Sequence, residues 1–419
     1  MTASESDAAA TEPEITYADV ERARERLDDD QVVKQTPVER STSLGKFVGG
    51  DVYLKMEHLQ WTGSFKTRGA YNKISQDTAD GVEEFVAASA GNHAQGVALA
   101  ATRCGADATI CMPKGAPQAK VDATRGYGAT VELVGTDFQE TMAHAKQLVT
   151  ESDAEFVHAY DDPDIIAGQG TLGIEMYHDC PAVDTVVVPI GGGGLISGVS
   201  TAVKHLSPET RVVGVQATGA ETVHESLDKG MPVTLDSVDT IADGIATGGI
   251  SERTLDIIQR NVDEVVTVTD AEIAQAILLL LERAKQVVEG AGAASVAAVL
   301  SDDLDVQGEA VMPVLCGGNL DMTMMRTLLV HALTDRQQII QLRVRIDDEP
   351  GTMAELSGII GAHGANIHDV RHDRSVGHLT VGEAYLVFNI ETTGAKQAAS
   401  IIDDIETAGY PVEDIANPS

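Results

Sequence analysis

Aromatic residues, basic residues and cysteines are all scarce in this chain of 419 residues: aromatics make up 4% of it, and 29 lysines and arginines stand against 65 aspartates and glutamates. The formal net charge of −36 repels phosphate backbones and anionic lipid surfaces, so we predict no nucleic-acid partner. Acidic residues occur in almost every segment. This distribution favours a halophilic protein, in which salt would screen the repulsion between the acidic side chains, over an ordinary acidic cytosolic protein.

The sequence also lacks the marks of a secreted or membrane protein. Its four cysteines form no CxxC pair and are too few for a disulfide framework, which predicts a reducing, cytoplasmic location. The longest strongly apolar run, AILLLL at 276–281, is far shorter than the ~20 residues that span a bilayer, so we predict no membrane segment. Residues 1–15 are polar and acidic without a signal pattern, and we predict a disordered tail there.

Most of the chain has an α/β pattern. Between residues 16 and 335, short β-rich runs alternate with stretches whose apolar residues recur at helical spacing, which predicts a doubly wound α/β domain. Runs such as VVVPI are apolar on both faces, as buried parallel strands are. The predicted strands are DVYLKME, EFVAAS, DATICMP, TVELVG, DTVVVPI, RVVGVQA and AVMPVLC.

The pattern changes after residue 335. The segment QIIQLRVRID predicts a strand and GTMAELSGIIGAHG an amphipathic helix, and two further strands, a helix and the short strand PVEDI follow. This order, βαββαβ in about 80 residues, is typical of a ferredoxin-like fold. We therefore predict a second domain at 339–419.

A run of four glycines, Gly191 to Gly194, follows the predicted strand DTVVVPI and opens a helix. Backbone N–H groups of such a run can surround an anion at the positive end of the helix. The run lacks the GK[ST] ending of a nucleotide P-loop and fits no GxGxxG register, so it favours a compact monophosphate. The alternative is a tight turn without a ligand.

Lys66 stands out within HLQWTGSFKTRGA, where we predict a helix start capped near Ser64. The positive N–H dipoles at a helix start favour the neutral amine, which is the form that attacks an aldehyde. The alternative is a solvated surface lysine. Two other segments, SAGNHAQG and CGGNLD, also follow predicted strands. Their small residues and amides could hold a carboxylate or could only cap a helix. Cys316 could face a ligand or be an inert buried thiol.

Taken together, SFKTRGA, SAGNHAQG, GGGGLISG, EGAGA and CGGNLD resemble the motifs of the threonine dehydratase and serine racemase family. These are fold-type II pyridoxal-phosphate enzymes. The resemblance implies two doubly wound open-sheet subdomains, with the smaller one, at about 51–157, inserted in the larger. It also implies pyridoxal 5'-phosphate as cofactor, bound to Lys66 through a Schiff base.

Further roles follow from the same resemblance. Asn92 would bond the ring hydroxyl, Cys316 would face the pyridine nitrogen, and Glu289 would lie near the ring. The remaining implied contacts are Gly191, Gly192, Gly193, Gly194 and Leu195 at the phosphate, and Ser89, Ala90, Gly91, Asn92 and His93 at the substrate carboxylate.

The implied reaction is β-elimination and deamination of L-threonine to 2-oxobutanoate and ammonia, and of L-serine to pyruvate. Lys66 would remove the Cα proton. A serine racemase or serine-specific dehydratase is the alternative, but Ala90 stands where similar racemases carry a proton-transferring serine. An inactive amino-acid sensor is a third hypothesis. Gln216 stands where relatives with a divalent cation use glutamate, so we predict no metal site.

The C-terminal segment IDDEPGTMAELSGIIGAHGANIHDVRHDR resembles an ACT domain, which implies regulation by an amino acid or another small effector. Its effector contacts would be Asp348, Gly351, Asn366 and Ile367, although ordinary turn chemistry also explains them. Regulated enzymes are commonly symmetric, so we predict a homodimer or homotetramer. We interpret the nearby histidines at 368, 372 and 378 as strand and turn residues, since 368 and 372 lie ~13 Å apart on a strand.

Overall fold

The computed structural model describes residues 14–28, 31–374 and 379–415. Its chain forms two compact units, Met1–Leu320 and Asp321–Ser419. Residues 1–13 of the predicted disordered tail lie outside the described residues. Its last two residues are ordered, because Ile15 is buried and Glu14 pairs with Arg253.

A six-stranded sheet forms the centre of the first unit. Its strand order is β1-β2-β10-β7-β8-β9, and every pairing is parallel except that of β1 with β2. Helices cover both faces, which is why β7 is buried along its whole length, as its apolar sequence predicts. The strands are β1 (Val38–Arg40), β2 (Asp51–Lys55), β7 (Thr185–Pro189), β8 (Arg211–Ala217), β9 (Glu264–Val268) and β10 (Ala310–Pro313).

The same unit contains a second sheet, which is parallel and has four strands in the order β5-β4-β3-β6. Its strands are β3 (Glu84–Ala88), β4 (Asp107–Met112), β5 (Thr130–Leu133) and β6 (Glu155–Phe156). The prediction that this smaller subdomain begins at about residue 51 is wrong. The strand that begins there, β2, pairs with β10 of the large sheet, and sequence spacing does not reveal a partner so far along the chain.

All seven strands predicted for this unit form, and the structure adds β1, β6 and β9, two of them with only two or three residues. The helices are α1 (Tyr17–Arg26), α2 (Thr42–Val48), α3 (Lys66–Ala79), α4 (Asn92–Cys104), α5 (Gln118–Gly126), α6 (Phe138–Glu151), α7 (Pro163–Asp179), α8 (Gly194–Leu206), α9 (Val223–Lys229), α10 (Glu252–Asn261), α11 (Asp270–Leu279) and α12 (Gly290–Leu300). None of the helices in the described ranges combines the length and hydropathy that a bilayer span requires.

Glycines let α7 cross closely over two neighbouring helices. A Cβ added to Gly168 would lie 2.6 Å from the Cα of Gly69 in α3, and one added to Gly170 would lie 2.8 Å from the carbonyl oxygen of Gly198 in α8. Neither approach leaves room for a side chain. The crossing therefore holds the start of α3 and the start of α8 in fixed positions within one core.

The second unit has the predicted ferredoxin-like order, and its sheet runs β12-β13-β11-β14 with antiparallel pairings. Alternate residues of β11, from Ile340 to Ile346, are buried against the two helices, as a half-buried strand requires. The elements are α13 (Met322–Asp335), β11 (Ile339–Asp347), α14 (Thr352–Ala362), β12 (Asn366–Asp373), β13 (Glu383–Glu391), α15 (Ala395–Thr407) and β14 (Val412–Asp414). Because α13 belongs to this unit, the boundary lies before that helix, whereas the sequence placed it after residue 335.

Candidate active site

Helix α3 begins at Lys66, within the SFKTRGA motif, which follows β2 of the large sheet. The prediction that Ser64 caps this helix is wrong. The N-cap residue is Phe65, and the buried hydroxyl of Ser64 has no hydrogen-bond partner among the described residues. The reason is a long-range backbone contact: Ser64 forms a backbone bridge with Gly317, and the Phe65 N–H donates to the Cys316 carbonyl at 3.1 Å, which turns Ser64 away from the helix.

The ammonium group of Lys66 is buried and donates to the carbonyl oxygen of Ala159 at 2.8 Å. Burial lowers the pKa of Lys66 to about 8, although the nearby Cys316 and Glu289 oppose the shift. An appreciable share of the side chain is therefore neutral near neutral pH. A neutral amine is the nucleophile that condenses with a carbonyl group.

Asn92, at the first position of α4, joins two distant parts of the chain. Its amide nitrogen donates to Glu289 Oε1 at 2.7 Å, and its amide oxygen accepts from Asn319 Nδ2 at 2.8 Å. Glu289 precedes α12, and burial raises its pKa to about 7 while the Asn92 hydrogen bond opposes the shift. The carboxyl group can therefore hold or release a proton near neutral pH.

The four glycines form a tight passage from β7 to α8. Gly193 has a φ of 91°, which favours glycine, and a Cβ there would lie 2.8 Å from the Cβ of Thr254. A side chain on Gly192 would collide with the Tyr160 ring, and Thr254 Oγ1 donates to the Gly192 carbonyl at 2.9 Å. The first N–H groups of α8 have no partner inside the helix, so this loop can cradle a phosphate. Leu195, in the first turn, is buried.

The segment Ser89 to His93 leads from β3 into α4. The Ser89 N–H donates to the Cys111 carbonyl at 3.1 Å, and Ser89 Oγ accepts from the Gly91 N–H at 3.1 Å, while Ala90 is partly exposed beside them. His93 lies within 2.9 Å of the Val157 carbonyl through Nε2. Burial, and next the charge of Lys66, lower the pKa of His93 to about 3. His93 is therefore a neutral donor at this segment.

Cys316 follows β10 and is buried. Burial and the nearby Glu289 raise the pKa of its thiol, so the group is neutral at physiological pH. Its backbone carbonyl binds the residue before Lys66, and the carbonyl of the next residue, Gly317, accepts from the Glu289 N–H at 3.0 Å. The structure thus brings the SFKTRGA, SAGNHAQG, EGAGA and CGGNLD motifs together around Lys66.

The family model described as a pyridoxal-phosphate dependent enzyme matches residues 30–317, and the ACT domain model matches residues 340–409. The chain belongs to the pyridoxal-phosphate-dependent enzyme family. The geometry fits this cofactor, because a buried amine with a lowered pKa lies beside a neutral thiol, an amide and a loop that can hold a phosphate.

Three similar proteins have names that specify a reaction. The L-threonine ammonia-lyase of Thermotoga maritima is 44% identical over 95% of this chain and 99% of its own length. The structure of the processed form of threonine deaminase isoform 2 from Solanum lycopersicum is 35% identical, with a TM-score of 0.72 over 74% of this chain and 86% of its own. Maize serine racemase is 33% identical, with a TM-score of 0.71 over 77% and 99% of the two chains.

Sequence reasoning on this pyridoxal-phosphate-dependent enzyme missed Asn319, Tyr160 and Thr254. Asn319 lies inside the quoted CGGNLD motif, and its amide nitrogen also donates to the Thr62 carbonyl at 2.6 Å. Its place in that motif was the available signal. Tyr160 and Thr254 belong to no motif, because they contact the glycine loop only after the chain has folded.

A buried ionic network behind α3 was also missed. Arg68, two residues after Lys66, donates to Glu57 at 2.8 Å and to Glu175 at 2.6 Å, and Lys55 donates to Glu175 at 2.8 Å. Burial lowers the pKa of Arg68, but its pairing with Glu175 and Glu57 outweighs burial and raises it. The network ties α3 to β2 and α7, and so fixes the helix that carries Lys66.

Gln216, which the resemblance pointed to as a place for a metal-binding glutamate, serves as a backbone tie. Its side-chain oxygen accepts from the N–H groups of Thr222 and Val223 at 3.0 and 2.8 Å, and its nitrogen donates to the Ala220 carbonyl at 3.2 Å. The amide thus makes three hydrogen bonds to the backbone of one turn. The absence of a metal at this position stays a prediction.

The four predicted effector residues do not meet within one chain. Asp348 follows the end of β11, where Arg374 Nε donates to it at 2.6 Å, and Gly351 is the N-cap residue of α14, with a φ of 107°. Asn366 and Ile367 start β12, which the register places beside the start of β11. At ~3.3 Å per residue, the two pairs lie more than about 20 Å apart.

Two of the three histidines near these residues lie in the described part of the chain. His368 lies 3.1 Å from Glu391, and His372 lies 3.3 Å from Asp348, so each has its own carboxylate partner. Position 378 lies outside the described residues. The two described histidines thus pair with different carboxylates rather than with one another.

Proposed function

We propose that this chain is an L-threonine ammonia-lyase that converts L-threonine to 2-oxobutanoate and ammonia and also converts L-serine to pyruvate. The observation that carries the proposal is the buried Lys66 amine, with a pKa of about 8, at the meeting point of the four motifs. The full-length similarity to an L-threonine ammonia-lyase supports it.

We assign the cofactor contacts as follows. Lys66 would hold pyridoxal phosphate covalently, Asn92 would bond the ring hydroxyl, and Glu289 would lie beside it. Cys316 would face the pyridine nitrogen as a neutral thiol, which does not force that nitrogen to be protonated. Gly191, Gly192, Gly193, Gly194 and Leu195 would clasp the phosphate through the backbone at the start of α8.

When bound, pyridoxal phosphate supplies an electron sink for the substrate's Cα. The chain's own groups then decide which protons move. With the cofactor bound, the Lys66 amine would remove the Cα proton of the substrate, and a pKa of about 8 suits this role near neutral pH. The segment from Ser89 to His93 would hold the substrate carboxylate, with Ala90, Gly91 and Asn92 offering backbone and amide donors and neutral His93 adding no charge.

A serine racemase is the second candidate, because the maize serine racemase structure is similar over most of both chains. Inversion requires a second proton-transferring group on the opposite face of the substrate. Ala90 offers none at the position that the resemblance identifies. We therefore propose elimination as the main reaction, and dominant D-serine formation from L-serine would contradict it.

Regulation is proposed to occur through the ACT domain, with Asp348, Gly351, Asn366 and Ile367 binding an amino acid. Because these residues lie at opposite ends of one sheet, a pocket built from both pairs requires a second chain. We accordingly propose a homodimer or homotetramer. An inhibitory response to isoleucine would place the enzyme in isoleucine biosynthesis, and another effector would favour threonine catabolism.

The decisive experiment follows 2-oxobutanoate release from threonine, in high salt, with and without isoleucine. Dependence on salt would test the proposed halophilic, cytoplasmic setting, because a net charge of −36 needs screening. Borohydride trapping and peptide mapping should place the cofactor on Lys66. A cofactor adduct elsewhere, or none together with no oxo-acid release, would favour the inactive sensor.

A further inference from the structure

A cluster of three side chains that could bind a metal ion lies at the four-stranded sheet and is not used by the proposed reaction. Cys111 in β4 and Glu132 in β5 are neighbours in register, and His144 lies on α6, which packs on β3 and β4. Their ligand atoms, a thiol sulfur, a carboxylate oxygen and an imidazole nitrogen, all lie within 4.8 Å of one another.

Strand alternation places this cluster on the face of the sheet opposite α3 and α4. Ile110 and Met112, on either side of Cys111, belong to the core beneath those two helices, whereas Cys111 packs with Ala145 of α6. Val131 faces the α3 and α4 side, so the following residue, Glu132, faces α6. The pleat and the helix packing therefore fix all three side chains relative to one another.

One side of the cluster is buried, and the other side is open to solvent. Cys111 is fully buried, while the side chains of Glu132 and His144 are 42% and 31% exposed. Glu132 Oε2 lies 2.9 Å from His144 Nε2. Ligand atoms around a tetrahedral zinc ion are roughly 3.3–3.8 Å apart at metal–ligand distances of ~2.0–2.3 Å, so small side-chain movements suffice to admit the ion.

We propose that Cys111, Glu132 and His144 bind one borderline-soft divalent cation, represented by Zn²⁺, with solvent as a fourth ligand. The sulfur, nitrogen and oxygen donors select for this class, because Mg²⁺ and Ca²⁺ prefer oxygen ligands alone. The thiolate is the form of cysteine that binds a metal, and cations of this class displace the thiol proton when they bind.

Occupation of this site would also stabilise the segment beside the substrate. The carbonyl oxygen of Cys111 accepts a hydrogen bond from the Ser89 N–H at 3.1 Å, so the same residue holds the cation and the loop that leads into α4. A ligand that binds only the folded state raises the unfolding temperature. We expect zinc to raise the unfolding temperature of the holoenzyme.

The test uses the holoenzyme after treatment with a chelator, followed by equilibrium dialysis against Zn²⁺, metal analysis and X-ray absorption at the zinc edge. We expect one zinc per chain, with one sulfur neighbour at ~2.3 Å and nitrogen or oxygen neighbours at ~2.0–2.2 Å. The sulfur neighbour distinguishes this site from zinc held by the cofactor phosphate or by surface carboxylates.

Cys111→Ala should remove the sulfur neighbour and weaken zinc binding at least about tenfold, because the thiolate is the strongest donor of the set. Cys104→Ala is the matched control, since that thiol packs on the opposite face of the sheet and should leave binding unchanged. His144→Gln, at a more exposed position, gives a second test if the first variant does not fold. Substoichiometric zinc in the unaltered protein, or a sulfur neighbour that persists in Cys111→Ala, would show that Glu132 and His144 form only a hydrogen-bonded pair.

Discussion

The two units of this enzyme treat charge in opposite ways. The first unit buries Lys55, Glu57 and Arg68 completely and places Lys66 and Glu289 in surroundings that shift their pKa values toward neutrality. In the second unit, the core consists of aliphatic residues and one phenylalanine, and no charged side chain among its described residues is buried.

This difference shows in which unit electrostatic interactions between side chains are strong. Charges in a low-dielectric interior interact strongly, and unpaired ones are costly, so they can hold a reactive amine in place and tune its proton affinity. Exposed pairs are screened by water and salt and contribute little to stability. The first unit is therefore suited to proton chemistry, whereas the second unit depends on the packing of its aliphatic core.

The largest expected effect follows from replacing Lys66. Lys66→Ala should lower threonine deamination at least about 1,000-fold, because it removes both the proposed covalent attachment of the cofactor and the proposed base for the Cα proton. Oxo-acid release and the cofactor absorption band would measure the change. Lys46→Ala, at an exposed lysine of α2, should retain activity. Equal losses in both variants would contradict the special role of the buried amine.

Removal of Arg68 should come next in size. Arg68→Met leaves Glu57 and Glu175 without their main partner in the interior, so we expect a loss of about 3–5 kcal/mol in the free energy of unfolding. Arg343→Met breaks the pair with Glu413 at the surface of the second unit and should lose at most about 1 kcal/mol. Urea unfolding followed for each unit would measure both, and similar losses would remove the contrast between the units.

Glu289 should give the first unit a pH dependence of its own. Burial raises its pKa from 4.5 to about 7, so the folded state binds this proton more tightly than the unfolded chain does. The resulting contribution to stability is fully present below pH 4.5 and is lost as the pH rises to about 7, by about 3 kcal/mol. Glu289→Gln stays neutral, so its unfolding free energy should lack this component between these pH values.

The smallest expected effect on stability concerns the exposed pair of Asp348 and Arg374. Arg374→Gln should leave the unfolding midpoint unchanged, because both side chains lie in solvent. If the loop at Asp348 binds the effector, the same variant should shift the isoleucine concentration that gives half of the maximal response. A stability loss comparable with that of Arg68→Met would contradict the proposed contrast.

Several features could be predicted because each is a property of a short segment. The strands and the βαββαβ order follow from local periodicity, and the motifs marked Lys66, Asn92, Glu289 and Cys316 as residues of one site. The cap at Ser64, the start of the smaller subdomain and the boundary between the two units were predicted wrongly. In the first two cases the segment that displaces the local pattern, at Gly317 or in β10, lies about 250 residues away along the chain.

The sequence by itself determined the fold class, the cofactor family and the candidate residues of the site, because these depend on residue type and local spacing. Only the tertiary structure decided how the charges of Lys66 and Glu289 are tuned, which amide links Asn92 to the CGGNLD segment, and how Cys111, Glu132 and His144 meet. Burial and long-range contact set these properties, and neither quantity is contained in any single stretch of the chain.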